Sequence, residues 1–439
     1  MKLLRVQVPD FRVLKNVDIS FEKDFVPNIF PLGSQNGGGK STLLQLIFIL
    51  LHCLGDTRRH EFLKNMLYGF DIDENSQKRV LAIFDIWDGE KTVNLEFVVY
   101  RDSDANEFLT SFEELSISKD NIQNIESQIK NLDSSINSSI KQLESMNNLQ
   151  KIGELKKLDQ QKLQLQKMLE EREKLECNVP KIFNCSESNR IVYIFNYSDY
   201  KNKIAEQVLL CHLDNIEIDE AEEFLNQLSK KIFIAAPTTQ VFLFLPQDAR
   251  KSLFQQQNNY QSKIQQSKSN LTGFFPYDFF TVNLLIEIFK SARDKDFAEA
   301  VKTGEYANHY QQLLKDLNQI LFNKKININI YLSGFNFKSD SSGQEIELFP
   351  EDLSHGELKR LSIYAWIKYN IIEDSIVLID EIENGFHPDW QYQIIKDIAE
   401  WSPNNQFIIA THSYEVCQAV TPAHVKELEP KLINQESES

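Results

Sequence analysis

Glycine is scarce in this chain, 14 of 439 residues, and cysteine scarcer still. The five cysteines (Cys53, Cys177, Cys185, Cys211, Cys417) are odd in number and nowhere spaced C-x-x-C. That excludes a disulfide framework and a zinc ribbon, and a reducing, cytoplasmic setting fits. No run of about 18 apolar residues occurs, so no membrane span is expected. The apolar stretch 43–54 is too short and carries His52 and Cys53. Residues 1–10 lack the charged start and long apolar core of a secretory signal. Basic residues are outnumbered 47 to 64, a net charge of −17. This argues against a surface coated for wrapping nucleic acid, while leaving a local basic groove open. What is present, 42% hydrophobic and 25% charged residues, suits a chain with a large core and two to four domains.

The few glycines are not scattered. Gly33, Gly37, Gly38 and Gly39 fall within seven positions, in Pro31-Leu-Gly-Ser-Gln-Asn-Gly-Gly-Gly-Lys-Ser-Thr42. An apolar, strand-like segment (26–32) precedes them and a helical run (43–54) follows. Strand, glycine turn, then Lys-Ser opening a helix is the arrangement that cradles phosphate, because backbone N–H groups and the helix N-terminus converge on one anion. Lys40 would reach the β- and γ-phosphates, and the Ser41 hydroxyl would hold Mg²⁺. The pattern G-x-x-x-x-G-K-[ST] would place glycine at position 34, where Ser34 stands.

Far downstream, Ile376-Val-Leu-Ile-Asp380-Glu381 is an apolar run without alternation that ends in two acids. Such runs mark strands buried on both faces of a parallel sheet, and ligands bind at the carboxyl ends of those strands. Asp380 is placed to join the Mg²⁺ shell and Glu381 to orient or deprotonate an attacking water. A third apolar run, 406–410, ends in Thr411, His412 and Ser413; His412 is read as sensing the γ-phosphate. Between these lies Asp352-Leu-Ser-His-Gly-Glu-Leu-Lys-Arg360, ahead of a helical pattern over 361–371. Ser354 and Gly356 open that helix as a second anion site or as a plain cap.

With four motifs in this order the chain resembles an ABC-type ATPase of the SMC, RecF and OLD-like class. The resemblance implies an α/β ATPase head, with a P-loop in a mixed sheet, an antiparallel β lobe and a helical lobe. It implies ATP and Mg²⁺ as cofactors, with a Walker A loop of Ser34, Asn36, Gly37, Gly38, Gly39, Lys40, Ser41 and Thr42. It also implies a signature of Ser354, Gly356 and Glu357, a Walker B pair at Asp380 and Glu381, a D-loop over 382–388 and a switch histidine at His412. Arg12 resembles the N-terminal arginine placed near the nucleotide. The Mg²⁺-linked glutamine of the Q-loop falls on Gln247 by preference, with Gln240 as the alternative. In such heads Ser354 of one copy caps the γ-phosphate held by Lys40 of another, so ATP joins two heads, and higher oligomers remain open.

Residues 119–178 hold a single glycine, Gly153, and apolar residues at Ile122, Ile125, Ile129, Leu132, Ile136, Ile140, Leu143 and Met146. This spacing predicts an antiparallel coiled-coil hairpin with an arm of about 40 Å. The expected organisation is therefore an N-terminal half-head (1–111), a hairpin (112–179), a C-terminal half-head (180–432) and a polar tail (433–439) expected to be disordered. Strands are expected at 80–87, 92–100, 189–197 and 232–245. Helix is expected through most of 274–322, a hairpin turn at 339–343, and an exposed segment over 255–269. The 27 residues after His412 (439 − 412) are too few for a Toprim nuclease. The chain is thus similar to the ATPase components of bacterial anti-phage systems such as Septu, which implies a separate effector, a nuclease. A RecF-like clamp that binds DNA directly, and a transporter ATPase, are the alternatives.

Overall fold

The structure is a computed structural model. It describes residues 1–34, 37–73, 76–101, 167, 181–184, 189–198, 206–254, 259–277, 281–321, 324–329, 331–332, 334–341, 344–369 and 372–428. The coiled-coil hairpin expected at 112–179, residue 167 apart, and the tail at 433–439 lie outside the described residues.

The chain opens with β1 (Lys2–Phe11), β2 (Leu14–Ser20), β3 (Ile29–Gly33), α1 (Lys40–His52) and α2 (His60–Met66). There follow β4 (Lys78–Trp87), β5 (Thr92–Arg101), β6 (Lys181–Asn184), β7 (Asn189–Ser198) and β8 (Glu206–Asp214). Next come α3 (Ile218–Lys230), β9 (Ile232–Ala236), α4 (Gln247–Ser252), α5 (Asn259–Asn270), β10 (Phe274–Pro276), α6 (Thr281–Thr303) and α7 (His309–Ile320). The last part holds β11 (Lys324–Ile328), β12 (Phe335–Ser341), β13 (Gln344–Leu348), α8 (His355–Tyr369), β14 (Ile376–Asp380), α9 (Pro388–Trp401), β15 (Gln406–Ala410), α10 (Tyr414–Gln418) and β16 (Lys426–Glu427).

The sheet that carries the P-loop, expected to be mixed, has only parallel pairings among the described residues, and the expected antiparallel lobe is a separate sheet. One sheet, β10-β9-β14-β15-β3-β16, is parallel throughout. The other, β2-β1-β4-β5-β8-β7-β6, is antiparallel throughout. A small β11-β12-β13 sheet stands apart. The parallel strands explain their own sequences. In β14, Ile376 and Leu378 join a core with α1 and the antiparallel sheet, while Val377 and Ile379 join the core under α8 and α9. Both faces are apolar, so the run shows no alternation. Helix α1 is buried along nearly its whole length, and Gln45 within it spends its amide on Val241 O (3.2 Å) and Leu243 N (2.7 Å). Helix α8 is buried on two sides: Ile363, Trp366 and Ile367 meet the parallel sheet, and Leu361, Tyr364 and Ala365 meet α6, α7 and β12.

Several expected boundaries move. The strand read over 232–245 ends at Ala236, because Pro237 has no N–H to continue the ladder; Phe242 and Phe244 enter the core from turns instead. The strand read over 26–32 starts only at Ile29, after Pro27. Residues 274–276, read within a helical stretch, form β10 beside β9. The segment read as exposed, 255–269, contains most of α5, with Tyr260 and Ile264 buried. Its polar composition hid two apolar residues four positions apart, which is one helical face. Strands β1 and β2 were not anticipated.

Gln406 joins the two large sheets. Its buried side chain accepts from Leu3 N (2.7 Å) and donates to Leu3 O (2.8 Å), at the end of β1 that its pairing with β2, starting at Arg5, does not reach. Leucine here would orphan two buried backbone groups. Gln406→Leu is therefore expected to destabilise the fold by about 2–4 kcal/mol, read as a lower urea midpoint at unchanged slope.

Candidate functional site

The glycine turn sits between β3 and α1. Gly39 caps α1 with φ 88°. A β-carbon there would stand 2.7 Å from Leu14 Cδ2 and 2.9 Å from Val13 Cγ2, so the β1–β2 turn closes against the loop and only glycine fits. Gln35 and Asn36 lie outside the described residues. Lys40 is 6% exposed. Its ammonium donates to Ser34 O (3.1 Å) and Ser34 Oγ (2.9 Å), and lies 3.4 Å from His412 Nδ1. Burial lowers its pKa, against the pull of Asp380, Glu383 and Glu381. Ser41 and Thr42 follow on the first turn of α1.

Topology brings the acids to this loop. A single strand, β15, separates β14 from β3, so the carboxyl ends of all three lie side by side: Asp380 pairs with Ala410, and Ala410 with Leu32. The Asp380 carboxyl is buried. Desolvation, with Glu381 and Glu383 nearby, raises its pKa to about 7 despite a hydrogen bond with Ser41 and the charge of Lys40. Asp380 Oδ2 has no hydrogen-bond partner among the described residues. A serine hydroxyl beside a carboxylate oxygen without a partner is a donor set that fits Mg²⁺ shared with phosphate. Glu381 has φ 52°, a left-handed conformation that costs a non-glycine residue about 1–3 kcal/mol. Its N–H continues the ladder to Ala410 O (3.0 Å), and Asn384 Nδ2 donates to its Oε2 (2.5 Å).

Glu383 was not singled out by the sequence, although it lies within the D-loop segment. It is buried, its Oε1 accepts the His412 N–H at 2.6 Å, and its Oε2 has no partner among the described residues. It thereby fixes the backbone that carries the exposed His412 ring.

The remaining expected residues fall in three places. Ser354 and Glu357 form a reciprocal cap on α8: Glu357 N donates to Ser354 Oγ (3.2 Å), and Ser354 N to Glu357 Oε2 (2.9 Å). Burial pushes the Glu357 carboxyl up, but Lys324 (2.5 Å) and Ser354 hold it below its ordinary value. Glu357 is thus committed within its own chain, whereas Gly356 packs against Gly385 of the D-loop. Gln247 opens the short helix α4 and is exposed. The alternative, Gln240, is better placed. It follows β9, which pairs with β14, both atoms of its amide are buried without partners among the described residues, and the next carbonyl is bound by Gln45 of α1. Arg12, at φ 53°, donates to Met66 O and Tyr68 O (3.2 Å each). Arg250, absent from the sequence reading, lies over the Tyr68 ring with a buried Nε that has no partner among the described residues. Burial lowers the pKa of both, and Arg250 lowers that of Arg12 further. Two neighbouring guanidinium groups of this kind suit an anion.

The fold and this convergence define an α/β domain of the P-loop ATPase class. Residues 35–418 match the family described as "AAA domain, putative AbiEii toxin, Type IV TA system", and the chain belongs to that family. Among curated relatives, the Retron Vc95 probable ATPase of Vibrio cholerae serotype O1 biovar El Tor is 35% identical over 96 residues, 19% of this chain and 18% of that protein. The Retron Ec83 probable ATPase of Escherichia coli is 44% identical over 50 residues, 11% of this chain and 9% of that protein. The chain therefore spans less than a fifth of the length of these relatives. Solved structures similar to it include the Smc head domain of Pyrococcus furiosus (14% identity, TM-score 0.33, 95% of this chain and 91% of that one). The Smc head of Pyrococcus yayanosii is another (13% identity, TM-score 0.34, 95% and 93%).

The raised Asp380 pKa has a stability consequence. A carboxyl that binds its proton more tightly when folded contributes most at low pH, and loses that contribution as pH rises from about 4 to about 7. At pH 8 the folded chain carries the full cost of the charge. Asp380→Asn is expected to raise the thermal midpoint of the ligand-free chain at pH 8, more than at pH 5. It should also abolish the further rise that Mg-ATP gives the wild type, with both effects read by scanning fluorimetry.

Proposed function

We propose that the chain binds and hydrolyses ATP in an SMC-like, ABC-type head, and that nucleotide-dependent association of two heads regulates a separate effector, a nuclease, in anti-phage defence. The observation that carries the catalytic part is the meeting of Lys40, Ser41, Asp380 and Glu381 at one rim of the parallel sheet. Membership of a family described by a toxin and its toxin–antitoxin system, and relatives named as retron ATPases, support the defence setting.

In this reading the P-loop N–H groups and Lys40 bind the β- and γ-phosphates, and Ser41 with Asp380 would hold Mg²⁺. An ion held there would supply positive charge against the charge of the phosphates. Glu381 orients the attacking water and accepts its proton. His412, 3.4 Å from the Lys40 ammonium, reports whether the γ-phosphate is present. Gln240 links the phosphate site to the segment along α1. Ser354 acts on the nucleotide of a second copy. Strand β5, which ends at Arg101, and strands β6–β8, which begin at Lys181, share one sheet, which supports reading 112–179 as an insertion into a single head.

Glu381→Gln is expected to keep ATP affinity within about threefold of wild type and cut turnover by about 100-fold or more. With ATP it should shift to the mass of a dimer on sizing, whereas Lys40→Ala should neither bind ATP nor shift. An E381Q chain that turns over like wild type would overturn the assignment.

A further inference from the structure

Lys359 lies in the 352–360 stretch but carries no role in the sequence reading, yet it is only 3% exposed. It lies on α8 one turn beyond Ser354. Its ammonium donates to Glu381 O (2.7 Å), Asn384 O (3.1 Å) and the Tyr277 hydroxyl (3.2 Å). Three protons meet three oxygens. The Tyr277 hydroxyl is itself 2.8 Å from Asp380 O and 3.1 Å from Glu381 O. The Tyr277 and Phe386 rings face the cation at 4.3 and 5.4 Å.

A cation removed from water carries a large desolvation cost, and an apolar residue of the same length would pack there without it. What the ammonium supplies instead is a hold on the carbonyls of one particular turn. That turn contains Glu381, at a left-handed φ which the local sequence does not favour. The Glu381 carbonyl accepts from both Lys359 and Asn384 N (3.2 Å). The start of α8 is keyed to the same turn sterically. A β-carbon on Gly356 would stand 2.7 Å from Gly385 O, and one on Gly385 would stand 2.5 Å from His355 Cδ2. There is no slack between the signature residues and the D-loop.

We infer that Lys359 is a positioning residue that couples α8 to the Glu381 turn, so that engagement of Ser354 by the nucleotide of a second copy sets the orientation of the Glu381 carboxylate in the first. The composite site on one face of a head thereby licenses the site on the other. This rests on Glu381 being the hydrolytic carboxylate, and the tests below separate the two claims.

The full-length variants Lys359→Met, Lys359→Arg and Tyr277→Phe are compared with wild type and Glu381→Gln. K359M is expected to hold fluorescent ATP within about threefold of wild type, with KM little changed and kcat lowered about tenfold or more. Wild-type specific activity should rise with chain concentration as heads meet, and K359M should lack that rise. K359R, which can reach the same carbonyls, should recover most of kcat. Y277F should lose about threefold in kcat at unchanged affinity. K359M with wild-type kcat while E381Q is inactive would overturn this inference and leave the catalytic assignment standing; an active E381Q would overturn that assignment instead. K359R as slow as K359M would show a packing role only and overturn the inference. Should K359M fail to fold, Y277F decides, and an unchanged kcat overturns it.

Discussion

Asp380 closes a strand whose other four residues are apolar and wholly buried, and its carboxyl meets the first polar partner along that strand, the Ser41 hydroxyl. The rest of the molecule follows from this meeting. A parallel strand with no water on either face can place an acid only at its end. The ends of β14, β15 and β3 coincide because these strands are neighbours in register. Covering such a sheet requires a layer on each face, and the chain supplies α1 with the antiparallel sheet on one side and α8 with α9 on the other.

The same burial that builds the core makes the site electrostatically costly. Three carboxylates act on a single buried lysine; two of them, Asp380 and Glu383, keep an oxygen without a partner among the described residues. Folding alone would replace these groups with apolar ones. Their retention, together with Glu381 in a left-handed conformation and two arginines beside Tyr68, concentrates unfavourable terms where an anion and a divalent cation would relieve them. The buried Lys359 is the opposite case, a cation whose bonds go to carbonyl and hydroxyl oxygens that shape a loop.

Much of the site was legible in the sequence because its parts are local. Four glycines in seven positions before Lys-Ser, two acids after four aliphatic residues, and Thr-His-Ser after another aliphatic run each state a short-range requirement of backbone and charge. The weaker readings came from segments whose fate depends on distant partners. The run 232–245 is apolar enough for a strand, but its second half packs as turns along α1 through Gln45. The polar segment 255–269 yields a helix because Tyr260 and Ile264 find a core that composition does not reveal. Gln247 stands after Pro in an attractive context but is exposed in the fold, whereas the Gln240 amide is buried without partners among the described residues.

What the amino-acid sequence determined by itself was the class of chemistry and the order of its parts, since glycine turns, buried strands and helix caps are written in contiguous residues. The tertiary structure alone decided three things: the joining of the two large sheets through Gln406, the service of Glu383 to the His412 backbone, and the reach of Lys359 from α8 to the Glu381 turn. Each of these joins residues 22 to 403 positions apart. Such contacts depend on which faces the packed layers present to one another, and no local pattern along the chain encodes that.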